Sequence, residues 1–273
     1  VDRTRDAEDA TLPAAIVLGA LSSVDASRPG DLAWLAHAAT AGGPDARRAA
    51  VTAAAQIGGP VAMEVLSFAL ADEEHEVQLA AARGLGHLCA TATRTSARDT
   101  IPDVPTSSRR PGEILQLVER SGEPDLVAAT VRAIGDGLAA REDAPDDDLL
   151  YALASFARHA ASPVALASVD ALAQAEDTHA SSMALAAGLE HADDDVVRAA
   201  VLKLAGRAHG WERLLPALAH PSPGVRLLAI EALEGRDARE VRAELLRRAS
   251  VEQHADVRSA LELALATRRD GAR

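Results

Sequence analysis

At 273 residues, with 48 % hydrophobic residues but only 2 % aromatics, the chain has to build its core from alanine and leucine, a composition that favours helix over strand. A net charge of −13 repels phosphate backbones and counts against nucleic-acid binding. The single cysteine, Cys89, excludes an intrachain disulfide and a cysteine-based zinc site, and no apolar run reaches the ~18–20 residues that span a bilayer.

Residues 1–9 are charged and unpatterned and read as a tail. Leu12, Ile16, Leu18 and Leu21 then have helical spacing, which Ser27-Arg28-Pro29-Gly30 ends. Residues 1–30 are therefore expected to form an N-terminal tail and capping helix. Over 31–91 two helix pairs are expected, 31–41 with 45–57 and 60–70 with 76–89. Asp45 is placed to cap the second of these helices, and Asp72-Glu73-Glu74 precede the last, where the helix dipole favours negative charge. Residues 92–110, with Pro102, Pro105 and the cations Arg94, Arg98, Arg109 and Arg110, break the rhythm. They read as an irregular insert loop, and a connection that long is a candidate contact site. Residues 111–273 return to pairs: 113–120 with 125–140, 146–159 with 163–174, 178–190 with 195–207, 211–219 with 224–234, and 238–249 with 256–267. Gly206, Gly210 and Gly235 fit C-cap positions in the turns. Helices this short are unstable alone in water, so they must shelter one another.

One pattern recurs near the C-terminus: Asp195-Val196-Val197-Arg198-Ala199-Ala200, Gly224-Val225-Arg226-Leu227-Leu228-Ala229 and Asp256-Val257-Arg258-Ser259-Ala260-Leu261, with the arginines 28 and 32 residues apart. Self-similarity at that period means stacked repeats. An acidic or Pro-containing turn, then Val-Arg, then small apolar residues and Leu resembles the HEAT-like repeat, and more narrowly the bacterial phycobilisome-lyase type. The resemblance is closest over 190–267 and present in 44–91. It is weakest in 112–175, where Leu126-Val127 and Val164-Ala165 fill the Val-Arg slot. It implies an all-α, right-handed α-α superhelical solenoid of about seven helix pairs. In such repeats Arg198, Arg226 and Arg258 would pair with acidic groups of a neighbouring turn. The resemblance identifies architecture and hardly touches function.

Enzymes on this frame set the chemistry to look for. A di-iron hydroxylase with HEAT-like repeats uses several His-Glu pairs, and this chain has only His75-Glu76 in that pattern. HEAT-like DNA glycosylases use a basic groove with aromatics, whereas Trp34 and Trp211 stand in first helices, Trp211 as a packing staple after Gly210. A chromophore lyase resembles the repeats themselves, but no catalytic constellation is visible. His75, His191, His220 and His254 fall in turns about one repeat apart, too far to converge on one zinc ion, and read as solvated turn residues. Asp146-Asp147-Asp148 and Asp193-Asp194-Asp195 lack the alternating oxygens and glycine of a calcium loop and read as helix caps. Cys89 reads as a small core residue. No metal and no cofactor is expected.

Counting from the Val of each Val-Arg, packing is expected to bury slots one, four, five and eight and to expose slots three and seven. Slot seven reads Thr52, Arg83, Arg132, Asp170, Lys203, Glu231 and Leu263; slot three reads Arg48, Leu79, Ala128, Leu166, Ala199, Leu227 and Ser259. Arg48, Leu79, Arg83, Arg132, Leu166, Lys203, Leu227 and Glu231 would then line a concave groove on the second helices. That groove is expected to take an acidic, amphipathic peptide or protein surface, unless helix tilt hides the leucines. The expected function is a non-catalytic, cytoplasmic interaction scaffold or adaptor of bacterial type, with no nucleic-acid or membrane partner. The alternative is an enzyme or enzyme accessory of the chromophore-lyase kind.

Overall fold

The computed structural model describes residues 29–92, 111–140, 145, 147–234, 236 and 238–270. The expected tail and capping helix, Gly235, and the loop arginines Arg94, Arg98, Arg109 and Arg110 lie outside the described residues. Among the described residues every regular element is helical. In chain order these are α1 (Pro29–Ala41), α2 (Pro44–Ile57), α3 (Gly59–Ala69), α4 (His75–Ala92), α5 (Pro111–Glu119), α6 (Pro124–Ala139), α7 (Asp147–Phe156), α8 (Ser162–Gln174), α9 (His179–Leu185), α10 (Asp194–Ala205), α11 (Pro223–Ala232), α12 (Arg239–Ala249) and α13 (Ala255–Asp270). Two 3₁₀ segments, Ala186–Glu190 and Trp211–Ala219, stand before α10 and α11.

Proline sets many of the starts. It opens α1, α2, α5, α6 and α11 and is the second residue of α3 and α8. At a first turn its missing N–H costs nothing and its φ is already helical. Several starts therefore fall a residue or two ahead of the expected ones. Gly43, not Asp45, is the N-cap of α2. The expected helix 211–219 is a 3₁₀ segment because Pro216 inside it supplies no N–H for an α-helical bond. Gly206 does follow α10, but with φ −75°, so no left-handed cap is made there.

The chain divides into two compact units, Val1–Gly137 and Leu138–Arg273. In the first, α2 packs against α1, α3 and α4, and α4 also meets α5. Helix α6 crosses α4 closely: a methyl group on Gly86 would collide with the Thr130 carbonyl oxygen and come within 2.8 Å of the Ala133 methyl. In the second, α10 packs against α8, Ala186–Glu190, α11 and Trp211–Ala219, while α13 packs against α11 and α12.

The second helices of the pairs (α2, α4, α6, α8, α10, α11 and α13) share one packing pattern. Their third and seventh residues are buried throughout, for example Ala46 and Ala50, Val77 and Ala81, Val196 and Ala200. Eighth and eleventh residues join them, as in Val51 and Ala54, Val169 and Leu172, Val201 and Leu204; the end helix α13 departs, with Glu262 exposed. This i, i+4, i+5, i+8 stripe is a broad apolar face of a helix flanked on both sides. Slots one and five of the sequence reading belong to it, and slots six and nine join them; slot eight is buried as expected at Ala53, Gly84, Ala171, Leu204 and Ala264, and slot four at Ala129, Ala167 and Ala200, the remaining slot-four residues being half-buried.

One register differs from the Val-Arg alignment. The third residue is Val77 in α4, Val225 in α11 and Val257 in α13, but in α10 it is Val196, not Val197. Asp193 caps α10 by accepting the Asp195 N–H at 2.9 Å, which fixes the start one residue earlier. Val197 is consequently buried and Arg198 turns outward.

Candidate functional site

Six of the seven turns before a second helix, all but the Gly42-Gly43 turn before α2, are held by a short-range acceptor. The backbone N–H two residues on donates to Asp72 Oδ1 (2.9 Å), Ser121 Oγ (3.4 Å), His159 Nδ1 (3.0 Å), His191 Nδ1 (2.9 Å), His220 Nδ1 (3.2 Å) and Glu252 Oε1 (2.8 Å). This is the Asx-turn device with several side chains standing in for aspartate. The turn histidines are thus structural acceptors. His191, accepting at Nδ1, carries its proton on Nε2, which donates to the His159 carbonyl at 2.9 Å. His75 and His254 lie in exposed positions and do not take this role. Among the described residues no three His, Cys, Asp or Glu side chains gather as a metal site.

In four of the second helices, α2, α4, α11 and α13, the fourth residue works with these turns. Arg47, Gln78, Arg226 and Arg258 each donate back to a carbonyl five or six positions earlier: Gly42, Asp72, His220 and Glu252. Arg226 also forks onto Glu252 through two 2.9 Å bonds, with side chains 14 % and 7 % exposed. Arg47 does the same to Asp72 at 2.8 and 2.9 Å and reaches Glu73 at 3.1 Å. Of the three arginines expected to pair with a neighbouring turn, only Arg226 does so. Arg258 binds carbonyls of its own turn, and Arg198, displaced by the register of α10, has among the described residues only an exposed 3.9 Å contact with Asp195.

These contacts shift the charged groups. For Glu252, burial opposes ionisation, but the His254 N–H and Arg226 outweigh it and hold the carboxyl below the usual range. The Ser162 hydroxyl and then the Asp195 N–H lower Asp193 in the same way. The hydrogen bond to Asp72 raises Arg47. Burial pushes the Cys89 thiol up to about 12, as befits a core residue.

The sequence reading passes over Arg207, which is 6 % exposed. It donates to the Ser181 hydroxyl at 2.6 Å and to the carbonyls of Leu172 and Ala175 at 2.7 and 2.9 Å, closing the end of α8. Arg236 repeats the move on the Ala205 and Arg207 carbonyls. A Gly-Arg pair 29 residues apart (206–207 and 235–236) was the available signal.

The expected groove residues separate by unit. In the first unit Arg48 and Arg83 line an open groove of about 930 Å³ between α2 and α4, together with Thr52, Gln56, Glu76 and His87 over a floor of Ala49, Ala53, Ala80 and Gly84. Arg48 has an exposed ion pair with Asp45 at 3.2 Å. Arg83 makes no hydrogen bond or ion pair among the described residues. Arg132 is exposed on α6, and Leu79 is half-buried rather than part of the lining. In the second unit Leu166 and Leu227 are half-buried, Glu231 is exposed, and Lys203 pairs with Asp170 at 3.0 Å. Lys203 is the tenth residue of α10; the ninth, aligned with Arg83 and Glu231, is Leu202. Exposed aromatics escaped the sequence reading: Phe68 beside a pocket of about 260 Å³ between α1 and α3, and Tyr151 with Met183 beside one of about 210 Å³ between α7 and α9.

No protein-family model and no curated protein matches the chain. Among solved structures it is similar to human deoxyhypusine hydroxylase in complex with glycerol, at 19 % identity over 93 % of this chain and 94 % of that one, with a TM-score of 0.38. It is similar to an engineered protein at 19 % identity over 94 % and 97 %, with a TM-score of 0.31. It is also similar to the complex of CpcE and CpcF of phycocyanin lyase from Nostoc sp. PCC7120, at 18 % identity over 98 % of each chain, with a TM-score of 0.31. No residue role passes from these proteins to this one. They do correct one expectation: a hydroxylase and a lyase stand among the neighbours, so this chain cannot be set down as a non-enzyme, and that description is withdrawn.

Proposed function

We propose that this chain is a repeat protein of the HEAT-like kind, with the right-handed stacking of about seven pairs which that resemblance implies, and that it acts as an adaptor for another protein. The partner docks on the face formed by the fifth and ninth residues of the second helices of the first unit, α2, α4 and α6. The observation that carries this reading is the groove between α2 and α4, about 930 Å³, into which Arg83 brings an uncommitted guanidinium. An acidic side chain entering the groove would find a planar fork suited to carboxylate. The alanine and glycine floor lets a helix backbone come close. Arg48 and Arg132, on neighbouring helices of the same unit, extend the positive surface. The lone buried thiol suits a reducing compartment such as the cytoplasm.

The test is a comparison of proteins captured from source cells by wild type and by Arg48→Glu/Arg83→Glu, followed by affinity measurement with the purified partner. The double reversal should weaken binding by about tenfold or more. A partner that binds both forms equally removes the groove from the reading.

A further inference from the structure

In the second unit, α8, α10, α11 and α13 lie in contact in that order. Their ninth residues, all exposed, are Asp170, Leu202, Glu231 and Leu263. Acid and leucine alternate from helix to helix. Leu202 is 58 % and Leu263 64 % exposed. The alternation is invisible in the Val-Arg alignment, which puts Lys203 where the folded helix puts Leu202. Leu166 and Leu227, four residues earlier on α8 and α11 and half-buried, widen the apolar part of the strip. The Asp170–Lys203 pair at 3.0 Å shows how closely α8 and α10 present these side chains, but an exposed pair of this kind holds its partners weakly.

We infer that this strip is a docking site for a cationic amphipathic helix from another protein. Two properties select that occupant. The first is charge: Asp170 and Glu231 flank Leu202, so a partner that buries the leucines must bring cations to the rungs between them. The second is pitch. Packed helices lie about 8–10 Å apart, and seven residues of α-helix advance about 10.5 Å. A helix laid across the rungs therefore meets them at heptad spacing, with Lys or Arg opposite Asp170 and Glu231 and Leu or Ile opposite Leu202 and Leu263. The site is separate from the α2–α4 groove and asks for the opposite charge.

The probe is a synthetic helical peptide with Arg and Leu alternating at successive heptad positions, titrated into the full chain. A scrambled peptide of the same composition is the control. The ordered peptide should bind, Leu202→Asn/Leu263→Asn should weaken it by about tenfold or more, and Glu231→Lys should do likewise, while Arg83→Glu leaves the affinity unchanged. These side chains are exposed, so the variants should keep the wild-type thermal melt, and that melt is measured with them. Equal affinity for the scrambled peptide means attraction to net charge alone and overturns the inference, as does an affinity indifferent to Leu202 and Leu263. Self-association of the wild type that is abolished by Leu202→Asn/Leu263→Asn, seen by sedimentation, also overturns it, because a second copy would then be the occupant. Equal capture by Arg48→Glu/Arg83→Glu bears only on the α2–α4 groove, so the two readings fail separately.

Discussion

The arginines divide by what they are asked to hold. Arg226 and Glu252 are nearly enclosed and form a two-bonded fork, so either half left alone would be largely shielded from solvent. Arg226→Leu should therefore cost about 2–3 kcal/mol in urea unfolding, and Arg198→Leu, which removes only an exposed contact, less than about 0.5. Arg207→Met strands the Leu172 and Ala175 carbonyls and should cost about 3 kcal/mol. Acid should expose the same chemistry. Glu252 titrates lower folded than unfolded, so its stabilisation is complete above the unfolded carboxylate value of about 4.3 and disappears as pH falls through the folded one. The stability gap between wild type and Glu252→Gln should be widest near neutral pH and close below about pH 4. Arg226 was legible in the sequence because Val-Arg repeats beside an acid-bearing turn. Arg207 was not, because its partners are backbone carbonyls, which have no residue code. The turn histidines were visible, but their role as acceptors comes from atoms two positions away in the chain.

At the scale of the helix, register decides which side chain does what. In α10 the fourth residue is Val197 and the following turn carries His220; in α11 the fourth residue is Arg226 and the following turn carries Glu252. The two positions go together, as they do at Ala165 with His191 and at Arg47 with Asp72. Val197→Arg alone should destabilise by more than about 2 kcal/mol, since it sets an unpaired charge at a buried site. Adding His220→Glu should recover most of that loss, with a coupling of at least about 1 kcal/mol in a double-mutant cycle. Close helix crossings make an equally sharp contrast. Gly86→Ala drives a methyl into the Thr130 carbonyl and should cost about 1–3 kcal/mol. Gly112→Ala, at the open start of α5, meets nothing within 4 Å and should be neutral or slightly stabilising. Helix existence was readable from alanine and leucine spacing alone. Helix starts were not, because a proline can as well end a turn as open a helix, as at Pro44, Pro124 and Pro223, and an extra aspartate before α10 moves the frame by one.

For the molecule as a whole, composition foretold the all-helical outcome: with so few aromatics, close packing of short alanine-rich helices is what remains. The distribution of charge was less transparent. A net charge of −13 does not tell that Arg48, Arg83 and Arg132 stand at fifth and ninth positions of the first unit's second helices while Asp170 and Glu231 alternate with leucines at the ninth positions of the second unit's, a distribution that only folded registers reveal. General repulsion among the excess acids should be relieved by salt, so the melting temperature should rise between low ionic strength and about 0.15 M NaCl, in contrast to a protein held mainly by exposed ion pairs. The self-contained turns have a further consequence. Because each one is secured by an acceptor two residues from its donor, a helix pair brings its own corner with it when it is copied or lost. Seams fastened by Arg and a carboxylate demand that both sides of the new junction match. The seam at His191 is crossed by Arg158 with Glu190 at 2.7 Å and so makes the same demand; the one at His220 has no such pair among the described residues, and it is the place where an array of this type can gain or shed a module with least disturbance.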